Sequence, residues 1–173
     1  MAGRAPAPRS RRSRDRRARF AIVAARFNEP IVKKLVDGAM RAYAARGVTA
    51  DGVDVYWVPG SFELPLAAQY LAASGRYAGI ACVGVVIRGE TPHFEHVARE
   101  AAAGIRLVGL TTGIPVTFGV ITALTEEQAW ARAGGDVANR GSEAAEAALE
   151  MAEFLAKFRR SSGRAKPGSP RVQ

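Results

Sequence analysis

Residues 79–87, GIACVGVVI, form an unbroken apolar run with no charge and no hydroxyl. A strand that is apolar on both sides must be covered on both sides. That requirement excludes a sheet with one wet face. It points to a central parallel strand with helices above and below it. The rest of the chain repeats the cue. RFAIVAA (19–25) is short, apolar and flanked by polar residues, VDVYWV (53–58) reads as a second strand, and VTFGVIT (116–122) as a fourth.

The segments between these runs have helical spacing. Ile31, Leu35, Ala39 and Tyr43 recur on one face, with Asn28 placed to cap the start and Gly47 to end the run. FELPLAAQYLAAS continues the pattern, and Pro65 lies early in it, where a missing backbone donor does little harm. A helix is expected over about 92–108, with Thr91 as its cap and Pro92 at its first position. Thr125 and Gln128 form a capping box, and that helix is expected to stop at Gly134-Gly135. A last helix, about 142–158, starts behind Ser142. Strands alternating with helices predict an α/β three-layer sandwich around a four-stranded parallel sheet.

The chain has 173 residues, enough for one domain with a full core. No apolar run approaches the roughly 20 residues of a membrane helix, and no apolar secretory segment opens the sequence. The lone cysteine, Cys82, falls inside the central run and reads as a buried small hydrophobe, which predicts an intracellular, cytoplasmic protein. The net charge of +9 is uneven: residues 1–19 carry eight Arg and one Asp (+7), residues 157–173 six Lys/Arg (+6), so residues 20–156 carry 9 − 7 − 6 = −4. The expected organisation is a basic solvated tail over 1–18, one domain over 19–158 and a second basic tail over 159–173. Polyanion binding is the rival reading of the tails, and organelle targeting a further one for the first. The sequence holds no internal repeat, no G-x-G-x-x-G and no P-loop motif, so neither dinucleotide nor P-loop nucleotide binding is supported.

Chemistry concentrates in GVVIRGETPHFEH (84–96), which contains both histidines of the chain. Ligands of open parallel sheets bind at the carboxyl ends of the strands, where this stretch lies. The N–H groups of residues 89–91 and the following helix dipole make an anion site suited to phosphate. His93, in the first helical turn, is expected to be neutral and able to accept a proton. His96 lies on roughly the same face but reads as structural. The two could share a metal, yet no third ligand completes a set. RFN (26–28) and GSFE (60–63) close strands one and two, so Phe27 is either core or a stacking surface for a flat ring, and Glu63 can accept from hydroxyls. Arg132 and Arg140 flank a Gly pair in RAGGDVANRG (132–141), a solvated loop unless it reaches an anion.

The segments RFN, WVPGSFELPLAA, GVVIRGETPHFEHVAREAAAGI, TTGIPVTFGVITALTEEQAWARAG and NRG, in this order over about residues 19–157, closely resemble the 6,7-dimethyl-8-ribityllumazine synthase family. The resemblance implies a flavodoxin-like fold and the penultimate step of riboflavin biosynthesis. That step condenses 5-amino-6-(D-ribitylamino)uracil with 3,4-dihydroxy-2-butanone 4-phosphate, with no metal or organic cofactor. His93 matches the family's proton-transferring histidine. Phe27 matches the aromatic that stacks on the pyrimidine. Ser61, Phe62 and Glu63 match the segment holding the ribityl chain and ring, and Val85, Val86 and Ile87 the strand end that pairs with the uracil. Glu90 and Thr91 match the phosphate turn. Phe118 and Arg132 match residues reaching in from a neighbouring subunit, Arg132 onto the phosphate. Glu143 matches an acidic position that orients the histidine, and Arg140 stands where the family has Lys, keeping the charge. The family forms homopentamers, twelve of which close into an icosahedral shell in many members. The short GGDVANRG connection favours the shell, and riboflavin synthase is an implied partner. Two rival classes are a non-catalytic container whose tails hold nucleic acid and a generic flavodoxin-like binding module.

Overall fold

A computed structural model describes residues 18–135 and 137–162. Of the expected tails, 1–18 and 159–173, residues 1–17 and 163–173 lie outside these residues. Four strands, β1 (Phe20–Ala25), β2 (Val53–Val58), β3 (Gly79–Ile87) and β4 (Val116–Ala123), form one sheet in the order β2-β1-β3-β4. All pairings are parallel, from Phe20 opposite Val53 and Gly79 to Ile87 opposite Ala123. Their limits match the sequence reading to within a residue, because each run is bounded by residues that cannot stay in a buried strand.

The sheet's two faces build two cores, and β1 shows why. Phe20, Ile22 and Ala24 point to one face with α1 (Glu29–Ala45) and α5 (Arg140–Ser162). Ala21, Val23 and Ala25 point to the other with α2 (Leu64–Ala73) and α3 (His93–Thr112). All six side chains are buried, so the strand alternates between cores rather than between core and water. Successive strands move first from β1 out to β2, then back across to β3 and β4. The chain therefore reverses direction between β1 and β3. In doubly wound sheets a crevice opens there, because the connections on either side leave to opposite faces.

Helix ends depart from the sequence reading in instructive ways. Asn28 is at the cap position of α1 but makes no capping bond; its side chain serves another purpose described below. Pro92, not Thr91, holds the cap position of α3, and the helix runs on to Thr112, ended by the left-handed Gly113 (φ 67°). The helix α4 (Glu126–Ala131) has its expected cap, Thr125 accepting from the Gln128 N–H, but stops before the glycine pair. The last helix begins at Arg140, and Asn139 caps it through Ser142 N–H to Oδ1 (3.0 Å), so Ser142 is inside the helix rather than ahead of it. That helix continues past residue 158 to Ser162, into the segment read as tail.

Candidate active site

At the reversal point lies a cleft of about 690 Å³. Three walls frame it. The β1–α1 turn supplies Phe27, a 3₁₀ turn over Ser61–Glu63 follows β2, and the end of β3 leads through Gly89 and Thr91 into the first turn of α3.

Phe27 is 72% exposed and gives the cleft an open aromatic face on which a flat ring can stack. The turn that carries it is tied to β2, with Arg26 N–H donating to Val58 O (2.8 Å) and Phe27 N–H to Pro59 O (3.1 Å). Opposite it, Ser61 is 5% exposed and its hydroxyl has no partner among the described residues. A buried hydroxyl without a bond costs free energy. Ser61 itself lines the cleft. It reaches its place because residue 84 is glycine: a Cβ there would stand 2.6 Å from the Ser61 Oγ. Phe62 is exposed and Glu63 half-buried, both on the same wall.

The end of β3 is the floor. Its pairing with β1 stops at Val83, whereas its pairing with β4 continues to Ile87. The β1-facing edge of Val85–Ile87 is therefore unpaired by any strand. The bond there among the described residues is Asn28 Nδ2 to Val85 O (3.3 Å). Beyond it, Arg88 N–H donates to Ala123 O (2.9 Å), but the N–H groups of Gly89, Glu90 and Thr91 make no hydrogen bond among the described residues. Such a row of open donors ahead of a helix N-terminus suits an anion.

Helix α3 turns four residues of its first turns to the cleft. Phe94 and Val97 are half-buried and pack on the inner core; His93 and His96 are exposed. His96 was expected to be structural. It lines the cleft one helical turn from His93, and its ring makes no hydrogen bond among the described residues. The i, i+3 spacing was the available signal, but spacing alone does not say which flank of the helix faces an opening.

A family model for 6,7-dimethyl-8-ribityllumazine synthase matches residues 17–156. The chain belongs to that family. The lumazine synthases are transferases of riboflavin biosynthesis. The sequence resemblance is thereby borne out, as is the four-stranded parallel α/β sandwich.

Not every residue implied by the lumazine synthase resemblance lines this cleft. Phe27, Ser61, Phe62, Glu63, Val85, Val86, Ile87, Thr91 and His93 do. Glu90 is exposed in the turn without lining it. Phe118 pairs with Cys82, five residues down β3 from Ile87, or about 16 Å at the usual strand rise, and is 44% exposed at the β4 edge. Arg132 follows α4, its Nη1 donating to Gln128 O (3.0 Å), and Glu143 is ion-paired with Arg140 at the start of α5. Both helices pack on the face opposite α3. A single chain thus separates His93 from Phe118, Arg132 and Glu143. Among the described residues no group of three or more His, Cys, Asp or Glu is arranged to hold a metal ion, and no helix is long and apolar enough to cross a membrane.

Proposed function

We propose that this cleft condenses 5-amino-6-(D-ribitylamino)uracil with 3,4-dihydroxy-2-butanone 4-phosphate, giving 6,7-dimethyl-8-ribityllumazine, phosphate and water. One observation carries the reading. An exposed aromatic, an unpartnered buried hydroxyl, an open strand edge, a row of free N–H donors and an imidazole surround one cavity. Each suits one part of the substrate pair. Phe27 stacks on the pyrimidine, and the unpaired edge of Val85–Ile87 bonds its polar rim. Ser61 and Glu63 take ribityl hydroxyls beside Phe62. The turn 89–91 seats the phosphate through its backbone, with the Glu90 side chain turned to water.

The uracil's primary amine attacks the butanone carbonyl, and loss of water gives an imine. Elimination of phosphate follows, then closure by the ribitylamino nitrogen with loss of a second water. His93, at the phosphate turn, takes and returns the protons of elimination and closure. Holding two substrates together supplies most of the rate, and proton transfer adds about 10²–10⁴-fold. Phe118, Arg132 and Glu143 are assigned to the cleft of an adjoining copy in a homopentamer. There Arg132 neutralises the departing phosphate and Glu143 stands near the histidine.

The test is to mix purified protein with both substrates and follow the fluorescence of the lumazine product. Product formation that requires both substrates supports the reading. Its absence with folded, oligomeric protein sinks it.

A further inference from the structure

Asn28 is the only non-glycine residue with positive φ among the described residues (φ 60°, ψ 39°). The left-handed region disfavours residues with a Cβ, though asparagine tolerates it best. Such a residue persists where its surroundings hold it. Here they do so on three sides. The carbonyl of Asn28 accepts from Ile31 N–H (3.0 Å) and Val32 N–H (3.1 Å), starting α1. The residue before it is bonded to Pro59 O. The side chain gives its Nδ2–H to Val85 O, 57 residues away. No side-chain capping bond is made, so the amide's local use as a helix cap has been given up for the distant one.

We propose that Asn28 is a positioning residue for the pyrimidine site: its left-handed turn swings Phe27 out over the cleft, and its amide locks that turn to the open edge of β3. The two surfaces that must clasp a flat ring are the Phe27 face, in the turn after β1, and the Val85–Ile87 edge of β3, and the pairing of β1 with β3 stops at Val83. Without a tie the gap between them would be free to vary. The Asn28 amide spans that gap. The inference deepens the proposed function and rests on it for the identity of the ring.

Asn28→Gly separates the two roles. Glycine enters the left-handed region freely, so the turn can form, but the tie to Val85 is lost. Asn28→Asp keeps the size and the backbone tolerance and places an acceptor against the Val85 carbonyl. Both variants are expected to fold and assemble as wild type, to raise the KM of the ribitylaminouracil about tenfold, and to leave kcat within about threefold, as loss of one bond acting on binding predicts. Hydrogen–deuterium exchange of the peptide spanning residues 26–31 should quicken in Asn28→Gly. A merely structural role would lower Tm and active fraction and leave KM unchanged. Unaltered KM together with unaltered exchange overturns the proposal. If wild type forms no lumazine, the functional reading fails while exchange in the 26–31 peptide still decides whether the amide locks the turn.

Discussion

His93 stands on an exposed flank of α3 with no hydrogen-bond partner among the described residues, so removing its ring leaves no buried group unsatisfied. His93→Ala should therefore fold normally, hold the ring substrate with little change, and lose turnover by up to about 10²–10⁴-fold. Steady-state kinetics beside a ligand titration measure both; equal turnover of mutant and wild type removes the assigned role. Asp54 makes the opposite kind of contribution, far from the cleft at the start of β2. It accepts from Tyr77 Oη (2.6 Å) and from Arg19 Nη2 (2.8 Å), and Tyr77 in turn meets Tyr56 Oη (2.6 Å). The Tyr77 hydroxyl first, then Arg19, hold the Asp54 carboxyl below its ordinary value. A carboxyl depressed in the folded state is protonated more readily in the unfolded chain. Its stabilisation is therefore complete above the unfolded value of about 3.9 and is lost as pH falls through the folded one. Glu29 and Glu127 are depressed as well, by Lys33 and by capping bonds respectively. The difference between wild type and Asp54→Asn isolates the one group. Tm followed from about pH 6 down to about pH 3 should fall less steeply in the variant, and parallel curves would contradict this.

Among the elements, the junction of α4 and α5 depends on one asparagine. Asn139 caps α5 through Oδ1, while its Nδ2 donates to Lys34 O (2.9 Å) on α1 and Ala133 O (3.0 Å) in the preceding turn. It fits only because residue 38 of α1 is glycine, where a Cβ would stand 2.1 Å from Oδ1. Asn139→Ala removes a cap and two further bonds at once, and should cost about 1–3 kcal/mol with the cleft's chemistry intact. Denaturant midpoints at a fixed protein concentration measure the loss; no shift would mean water replaces all three bonds. This asparagine also shows what sequence could and could not disclose. Strand limits were legible because a doubly covered strand must be apolar throughout and is punctuated where it leaves the sheet. The Thr125 cap was legible because donor and acceptor lie three residues apart. The cap position of Asn28 was legible but the partner of its amide was not, and Asn139 carries no local signal, because their amides bond carbonyls 57 and 105 residues away, which no local window contains. The cleft's residues were found through motifs at strand ends. The shared face of His93 and His96 was legible from their i, i+3 spacing; that this face opens on the cleft was not, because it depends on the 3₁₀ turn after β2.

The whole molecule poses a geometric problem that a single chain leaves open. His93 lies with α3 on one face of the sheet; Arg132 and Glu143 lie with α4 and α5 on the other, and Phe118 is about 16 Å from the strand end on the exposed β4 edge. If all serve one site, that site must be assembled from two copies, and a head-to-tail contact whose rotation closes into a ring gives every copy one such site. Mixing variants decides the matter. His93→Ala and Arg132→Ala proteins should each be nearly inactive alone. Co-assembled in equal amounts, they regain activity only where an intact His93 of one copy faces an intact Arg132 of the next. Random placement in a head-to-tail ring makes that true of about one quarter of the sites. Were Arg132 to act within its own chain, every subunit would carry one lesion in its own site and mixing would restore nothing. Recovery near one quarter, appearing only after subunits are dissociated and reassembled together, is the expected result. No recovery after reassembly would remove Arg132 from the neighbouring cleft and return its action to its own chain.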